Sequence, residues 1–345
     1  MAKKKSLGGI AKELGVSKTL VSFVLNNRGD EKSISKKTQA SVLQLAKKYN
    51  FTPSFLARGL RMGKTHTIGL IVADISNKFY AKIAREVEKV AAEHDYNVIY
   101  CSSDEDIDKE IELINMLRSR QVDGLIIATT QKDTQMFTQM KKEKYPFVLV
   151  DRRLPRLKVN YVGCDNINGA YHVTARLINN GFKKIALFKI SPSYLSSIKE
   201  RERGYVAALK DHQIKLDRQL IKTIEFDRLQ ESVNNYLDEL MRSPQPIDAI
   251  FTLNNNIGIA CLKYLRKHQY SIPKDVALIS FDDIDIFDFL SPGISAVSQP
   301  LVEIGRQAVT LLLGELNGKE TKKQELVIPV SFVERESCKK TQIQE

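Results

Sequence analysis

The residue types that most often carry catalysis occur in this chain without their usual partners. Its five histidines are isolated, and no HExxH, GxSxG or GxGxxG motif occurs, which argues against metal hydrolases, serine esterases and dinucleotide enzymes. The four cysteines form no CxxC pair and have no nearby histidine, so neither a zinc site nor a disulfide framework is indicated; they are Cys101, Cys164, Cys261 and Cys338. We therefore predict a protein that is not an enzyme and that has no catalytic residue, metal site or cofactor.

Two acidic clusters need their own interpretation. The first comprises Asp282, Asp283, Asp285 and Asp288, and it has the acid density of a calcium-binding loop. Isoleucine and phenylalanine, however, stand where such a loop needs glycine and further oxygen ligands. We expect a loop in which one acid faces a ligand. The second cluster, over residues 104 to 108, fits the preference of acids for a helix N-terminus, and we assign it no function.

Basic residues are concentrated at the N-terminal end of the chain. Residues 1 to 65 contain 14 Lys or Arg and three acids, a net charge of +11, whereas the other 280 residues carry +1. A basic module joined to a nearly neutral body predicts a polyanionic partner, with nucleic acid the leading candidate. The length of 345 residues and the apolar content of 43% predict two or three domains.

The cellular compartment is indicated by cysteine usage and by the hydropathy pattern. Unpaired cysteines suit a reducing environment. The N-terminus, MAKKKSLGG, has no apolar segment behind its basic residues, and no run approaches the roughly 18 apolar residues of a membrane span. We expect a cytoplasmic protein that is neither secreted nor inserted into a membrane.

Apolar periodicity predicts three short helices in the basic module. Ser6, Ser17 and Ser35 are each placed to cap a helix, and Gly15 separates the first helix from the second. The second helix has four residues away from its apolar stripe: Lys18, Thr19, Ser22 and Phe23. A helix, a tight turn and a second helix with a polar N-terminal end form a helix-turn-helix, whose second helix enters the DNA major groove. We predict this DNA-binding domain over residues 1 to 52.

The rest of the chain alternates apolar runs with amphipathic stretches. Strand-like runs are TIGLIVA, YNVIYCS, VDGLIIA, PFVLVD, KIALFKI, DAIFTL and DVALISF. Such alternation predicts an α/β body of parallel sheets with helices on both faces. Because this segment is longer than a single sheet with its helices usually requires, we expect two lobes over residues 66 to 335. A ligand cleft is expected beyond the carboxyl ends of the strands. We expect residues 53 to 65 to link this body to the first domain and residues 336 to 345 to form a tail.

The sequence resembles a known family, the lactose and galactose repressor (LacI/GalR) family of transcriptional regulators. The similarity begins with IAKELGVSKTLVSFVLNN and FTPSFLARGLRMGKTHTIGLIV, and it covers nearly the whole chain in order. It continues through NKFY, VDGLI, VLVDR, VGCDN, KKIAL, RERGY, IPKDVALISFDD and SQP. The resemblance implies a three-helix helix-turn-helix domain followed by a two-lobed sensor like the periplasmic binding proteins. It places chain crossovers near residues 162 to 168, 290 to 298 and 320 to 330.

The resemblance also implies which residues contact DNA. Lys18, Thr19, Ser22 and Phe23 lie on the recognition helix, with Asn26 at its end. Phe23 stands where the family often has arginine, and it is suited to contact a thymine methyl group instead. In the hinge, Leu60 is expected to enter the minor groove as an apolar wedge, with Arg58 beside it. A flexible linker would explain the same hinge sequence without DNA.

The resemblance further implies a small-molecule effector, most simply a sugar or sugar derivative. Its candidate contacts follow predicted strands, and they are Asn77, Phe79, Tyr80, Asp151, Arg201, Asn254 and Asp282. Arg152 and Asn255 are adjacent to two of these, and a structural hydrogen-bonding role is an open alternative for each. A polyhydroxyl ligand needs donors, acceptors and an aromatic face in such a cleft.

The sequence therefore predicts a regulator, with a repressor the preferred form, that binds double-stranded DNA under effector control. Because a headpiece of this size contacts one half-site, we expect a homodimer on a pseudopalindromic operator. The main alternative is the solute-binding protein of a transport system, which would explain the body but not the basic module. An enzyme on an α/β fold is a third hypothesis.

Overall fold

The computed structural model describes residues 5–51, 64–318 and 323–340. The chain divides into two compact units, one ending at His66 and the other beginning at Thr67. The hinge predicted over residues 53 to 65 lies almost wholly outside the described residues, as do the predicted DNA contacts Arg58 and Leu60.

Three helices make up the described part of the first unit, which we call the headpiece. They are α1 (Leu7–Leu14), α2 (Lys18–Leu25) and α3 (Lys36–Lys48). Each begins after a serine whose hydroxyl oxygen accepts a backbone N–H of the first turn, and these are the predicted Ser6, Ser17 and Ser35. Gly15 ends α1 at φ 64°, a conformation that favours glycine. The three apolar faces meet around Ile10, Val21 and Val42.

The second unit contains two lobes, each built on a six-stranded sheet. The strands of the first lobe are β1 (Thr67–Val72), β2 (Asn97–Ser102), β3 (Gly124–Ile127), β4 (Phe147–Val150), β5 (Asn160–Cys164) and β11 (Glu325–Ile328). Its helices are α4 (Lys78–Glu93), α5 (Ile107–Ser119), α6 (Gln135–Lys142) and α12 (Leu301–Leu316). The described strands follow the order β11-β5-β4-β3-β1-β2, and their pairs are parallel.

The second lobe repeats this plan with one exception. Its strands are β6 (Ile185–Ile190), β7 (Ile221–Ile224), β8 (Ala249–Thr252), β9 (Ala277–Phe281), β10 (Ser295–Ser298) and β12 (Ser331–Val333). Its helices are α7 (Asn166–Asn179), α8 (Ser196–Asp211), α9 (Leu229–Met241), α10 (Asn255–Lys267) and α11 (Asp285–Phe289). The order is β12-β10-β9-β8-β6-β7, and β12 pairs antiparallel with β10. The predicted parallel sheets are therefore confirmed, with an antiparallel strand at one edge.

The apolar runs of the sequence become central strands because both faces of each sheet are covered. Every residue of β3, β4, β8 and β9 is buried, as expected for parallel strands between two helical layers. The edge strand β2 is more exposed. In both lobes the carboxyl ends of the central strands lie along one edge of the sheet, and that edge holds the cleft described below.

Within the described residues, the chain passes between the lobes three times. The first crossing follows β5 at Cys164, the second follows β10 at Ser298, and the third follows β11 at Ile328. As a result α12 packs on the first lobe although it follows a strand of the second. These crossings lie at or close to the positions that the family resemblance implied.

The C-terminal boundary of the body needs correction. The predicted body ends at residue 335 and is followed by a tail over residues 336 to 345, but Glu336–Cys338 forms a 3-10 turn with Ser337 and Cys338 fully buried. The Ser337 hydroxyl donates to the Leu278 carbonyl at 2.6 Å and accepts the Ser295 N–H at 2.8 Å. Because hydrogen bonds rather than an apolar run hold this segment in place, the hydropathy pattern could not predict its burial.

Candidate functional site

The exposed surface of α2 is the first candidate site. Val21 and Val24 are buried in the headpiece core, so the opposite side of the helix faces outward. Lys18 and Thr19 are exposed, while Ser22 and Phe23 are partly exposed. The predicted recognition residues thus share one accessible helix surface near its N-terminal end. Such a surface has the size and polarity of a helix that enters a DNA major groove.

Phe23 lies beside two basic side chains. The Arg28 guanidinium is 5.7 Å and the Lys32 ammonium is 5.5 Å from the centre of its ring. Both distances are within the range of cation–π contacts. The exposed part of the Phe23 ring is therefore flanked by two positive charges of the kind that suit phosphate contacts.

Asn26 has a different environment from the other predicted DNA contacts. Its side-chain amide donates to the Ser22 carbonyl at 2.6 Å and lies 3.3 Å from the Ser22 hydroxyl. Its backbone N–H also closes the last turn of α2. The described contacts of Asn26 thus stabilise the end of the helix.

The second candidate site is the cleft between the two lobes. All seven predicted effector residues line one cavity there: Asn77, Phe79, Tyr80, Asp151, Arg201, Asn254 and Asp282. They come from the segments that follow β1, β4, β8 and β9, from the first turn of α4 and from the second turn of α8. Sheet topology therefore brings together residues up to 205 positions apart in the sequence.

Arg201 is the most heavily bonded of these residues. It is 3% exposed, and its Nε donates to Asn166 Oδ1 at 2.8 Å while its Nη1 donates to the Leu253 carbonyl at 2.6 Å. The guanidinium lies 3.8 Å from the centre of the Phe281 ring. These contacts fix its position because a planar guanidinium with several donors has one orientation that satisfies them all.

Two acids face Arg201. Asp282 Oδ2 is 3.8 Å from Nη1, and Asp151 Oδ1 is 4.0 Å from Nη2. Both acids have backbone φ in the left-handed region, 72° for Asp282 and 61° for Asp151, which is unusual for residues with a side chain. Strained backbone of this kind concentrates at binding sites, where it aims a side chain into a cavity.

The pKa of the Asp282 carboxyl group is raised above its ordinary value. Burial raises the pKa of its carboxyl group to about 6, because the positive charge of Arg201 and the hydrogen bond donated by Gln299 only partly offset the loss of solvation. A buried carboxylate whose charge is incompletely balanced is a strong acceptor for ligand hydroxyl groups. Among the acids at residues 282 to 288, Asp282 alone lines this cavity, as expected from the sequence.

Tyr80 and Arg152 complete the first-lobe side of the cleft. The Tyr80 hydroxyl donates to Asp151 Oδ2 at 2.9 Å, and its ring makes an edge contact with Phe79 at 4.8 Å between centres. Arg152 forms a buried ion pair with Glu105, with 2.7 Å between Nη1 and Oε2. Glu105 is not among the predicted effector contacts, because the acidic cluster over residues 104 to 108 was assigned no function. The signal that could have found it is its position three residues after the end of β2.

Asn77 and Asn254 both cap helices at the cleft. The Asn77 Oδ1 atom accepts the Phe79 N–H at 3.0 Å, and the Asn254 Oδ1 atom accepts the Ile257 N–H at 2.9 Å. In the described part of the chain their Nδ2 groups donate to no protein atom, so a ligand acceptor can use them. Asn256 lines the cavity, whereas Asn255 is buried beside it.

The described residues contain neither a cluster of metal ligands nor a candidate membrane span. Within residues 5–51, 64–318 and 323–340, no three His, Cys, Asp or Glu side chains converge as metal ligands. In the same ranges no helix combines the length and the apolar character that a bilayer crossing requires.

Comparison with known proteins gives two family matches. Residues 65–336 match the family described as periplasmic binding proteins and sugar binding domain of LacI family. Residues 6–54 match bacterial regulatory proteins, lacI family. The two matches cover the body and the headpiece in order, and the first alone spans more than half of the chain.

Individual relatives agree with these matches. The chain is 32% identical to the HTH-type transcriptional regulator RegA of Clostridium saccharobutylicum, over 96% of this chain and 98% of the relative. The crystal structure of a LacI family regulator from Enterococcus faecium with bound ribose has a TM-score of 0.72 and 28% identity, covering 80% of this chain and all of that one. The complex of the regulator CelR with cellobiose has a TM-score of 0.71 and 27% identity, covering 96% and 99%.

Proposed function

The chain belongs to the LacI family of bacterial regulators, and we propose that it binds its operator through α2 and binds a sugar or sugar derivative in the cleft between its lobes. It is a DNA-binding transcriptional regulator. A transport protein is not favoured, because residues 6–54 match a regulatory domain. The relatives are regulators rather than enzymes, and we assign this chain no catalytic activity.

The observation that carries the effector proposal is the grouping of Arg201, Asp151 and Asp282 in one buried cleft. A neutral polyol satisfies such a group because each hydroxyl both donates and accepts, so it bridges an acid and an arginine without adding charge. Phe79 and Tyr80 supply an apolar wall for the faces of a sugar ring. The ribose and cellobiose bound by two structural relatives support the same ligand class.

The direct test is a ligand screen followed by DNA binding. The intact protein is screened by thermal shift against sugars, sugar acids, sugar phosphates and nucleobases, and the duplex is selected by the protein from a random library. We expect a sugar or sugar derivative to raise the melting temperature and to change duplex affinity by about 1 to 3 kcal/mol. A panel in which no sugar binds, or in which the bound sugar leaves DNA affinity unchanged, would contradict the proposal.

Recognition by α2 gives a prediction for Phe23. Phe23→Ala should weaken binding to the selected duplex by about 1 to 3 kcal/mol, because it removes the apolar contact proposed for a thymine methyl group. Leu43→Ala is the matched control, since Leu43 is an exposed apolar residue on α3, at 49% exposure. Fluorescence anisotropy measures both variants. Equal losses in the two would mean that α2 does not read the bases.

We further propose that the protein is a homodimer that acts as a repressor in the cytoplasm, on a pseudopalindromic operator. The support within the body is α11, which exposes Phe289 at 83% and Ile286 at 43%. Adjacent exposed apolar side chains on one short helix are typical of an interface. Two-fold symmetry would then place two headpieces on the two half-sites.

Phe289 provides the test of the dimer. Phe289→Ser should weaken self-association by about 2 to 4 kcal/mol, as expected for an aromatic residue at the centre of an interface. Val327→Ser is the control, because Val327 is an exposed apolar residue on β11, at 49% exposure. Sedimentation velocity over a concentration series measures both. A Phe289→Ser protein that dimerises like the wild type would place the interface elsewhere.

A further inference from the structure

A continuous network of side-chain hydrogen bonds connects the effector cleft with a contact between the two lobes. Its members are Arg153 of the first lobe and Asn166, Glu200 and Arg201 of the second. Of these four residues, only Arg201 lines the cleft. We call the four residues the interlobe network.

Glu200 is the member that contacts both lobes. Its Oε1 atom accepts two hydrogen bonds from Arg153, at 2.9 Å from Nε and 2.7 Å from Nη2. Its Oε2 atom accepts a hydrogen bond from Asn166 Nδ2 at 3.1 Å. Glu200 is 8% exposed, so its carboxylate depends on these two partners more than on water. The ion pair across the lobes therefore holds the carboxylate in the orientation that Asn166 needs.

Asn166 connects Glu200 to Arg201. Its side chain is 1% exposed, and its Oδ1 atom accepts a hydrogen bond from Arg201 Nε at 2.8 Å. A side-chain amide has one acceptor end and one donor end, so the bond from Nδ2 to Glu200 directs Oδ1 towards Arg201. With the amide inverted, its NH₂ group would face the guanidinium and two donors would meet. The orientation of Arg201 thus depends on Glu200 through Asn166.

The segment around the start of α8 makes two further contacts with the first lobe. The Arg153 N–H donates to the Ser196 hydroxyl oxygen at 2.8 Å, and the Tyr194 hydroxyl donates to the Thr130 carbonyl at 2.8 Å. This segment therefore holds the second lobe against the first. Because the bond from the Arg153 N–H crosses between the lobes, hydrogen exchange at this amide reports their approach.

Arg153 also has an acid partner within its own lobe. Its Nη1 atom donates to Glu325 Oε2 on β11 at 3.1 Å. The pair with Glu325 would persist if the lobes separated, whereas the pair with Glu200 would not. Both acids neutralise the same guanidinium, but only Glu200 connects it to Asn166. Replacing each acid in turn therefore separates the charge balance at Arg153 from the contact across the lobes.

We propose that Glu200 is a positioning residue that makes the orientation of Arg201 depend on the approach of the two lobes. The inference rests on the proposed function, because Arg201 contacts an effector only if the cleft binds one. An effector that bonds to Arg201 would stabilise the network and with it the contact between the lobes, since coupling between two equilibria is reciprocal. Effector binding and lobe approach are thereby linked through side chains that lie outside the cleft.

The test uses the full-length protein without ligand, so it does not depend on the identity of the effector. Mass spectrometry measures two rates: hydrogen exchange of the backbone amide at position 153, and modification of Arg201 by phenylglyoxal. Glu200→Gln should increase both rates by about tenfold, because a neutral amide holds Arg153 more weakly than a carboxylate does. Glu325→Gln is the matched control, and it should leave both rates within about twofold of the wild type.

A third variant tests the order of the contacts. Asn166→Ala should accelerate the modification of Arg201 by a similar factor but leave exchange at position 153 unchanged, because the pair of Arg153 with Glu200 remains. The amides of β3 and β8 should exchange as in the wild type in every variant, which separates local release from a general loss of stability.

Three results would overturn the proposal. They are unchanged modification of Arg201 in Glu200→Gln, equal effects of Glu325→Gln and Glu200→Gln, and faster exchange of β3 and β8 in proportion to that at position 153. The proposed function fails separately: if no sugar binds in the screen while these rates change as expected, the network links the lobes and the cleft has another ligand.

Discussion

Replacing Arg201 with alanine should weaken effector binding by about 2 to 5 kcal/mol, a loss of roughly 30-fold to several thousand-fold. Arg201 carries the buried positive charge that faces both Asp151 and Asp282, and its own orientation is fixed by Asn166 and the Leu253 carbonyl. Removing it leaves the buried Asp282 without its nearby positive charge, while Asp151 keeps Arg152 at 3.4 Å. The ligand would lose a charged donor, and the pKa of Asp282 would rise further because the Arg201 charge lowers it.

Calorimetry with the effector identified by the screen measures this loss. Arg203→Ala is the matched control, because Arg203 lies on the same helix, two residues away, and is exposed. Affinity for DNA in the absence of effector should stay within a few fold of the wild type, since the cleft and the headpiece belong to different units. Unchanged effector affinity in a folded Arg201→Ala protein would remove the cleft from the proposed mechanism.

The second large effect is expected at Asp282, where function and stability should respond in opposite directions. The pKa of this carboxyl group is raised from about 3.8 to about 6 in the folded protein, chiefly by burial. The folded state therefore holds the proton more tightly than the unfolded state, and stability falls as the pH rises between about 4 and 6. Above that range the ionised carboxylate costs about 3 kcal/mol, and below about pH 4 it costs nothing.

Asp282→Asn cannot ionise, so it should be more stable than the wild type by about 1 to 3 kcal/mol at pH 7 and equally stable near pH 4. Its effector affinity should fall, because the amide presents a donor where the ligand needs a second acceptor. Urea denaturation at both pH values measures the stability, and calorimetry measures the binding. Asp283→Asn is the control: Asp283 pairs with Arg335 at 2.9 Å, so its loss should not stabilise the protein.

An Asp282→Asn protein that is less stable than the wild type at pH 7 would contradict this account of the buried charge. A stability difference that is the same at pH 4 and pH 7 would also contradict it, because the cause would then be packing rather than ionisation. If stability rises as expected but effector affinity is unchanged, Asp282 does not contact the ligand. The strained backbone at this residue would then lack a binding role.

Local signals in the sequence were sufficient for the three headpiece helices and for seven of the twelve described strands. A capping serine acts within one turn of helix, so Ser6, Ser17 and Ser35 could be recognised without knowledge of the fold. Apolar runs such as β3 and β9 likewise predict buried strands, because only strands covered on both faces tolerate continuous apolar sequence. The two-lobed α/β architecture follows from the order of these elements.

The prediction of the cleft residues depended in part on a local feature, their position after apolar strands. Asp151 and Asp282 each follow directly after an apolar strand, and parallel strands place their carboxyl ends along one edge of a sheet. The family resemblance supplied the choice among such residues. Glu105 lies three residues beyond β2, and its neighbouring acids made a helix N-terminus the simpler explanation. Only the ion pair with Arg152 reveals its position in the cleft.

The sequence by itself therefore determined the helix-turn-helix, the alternation of strands and helices, and the residues that follow each strand, because all of these depend on neighbours within a few positions. Only the tertiary structure decided what depends on distant partners. The burial of Ser337 against Leu278 and Ser295, the antiparallel pairing of β12, and the ion pair of Arg152 with Glu105 are of this kind. Such contacts join segments separated by tens of residues, and their free energies arise from hydrogen bonding and charge, which leave no periodic pattern in the chain.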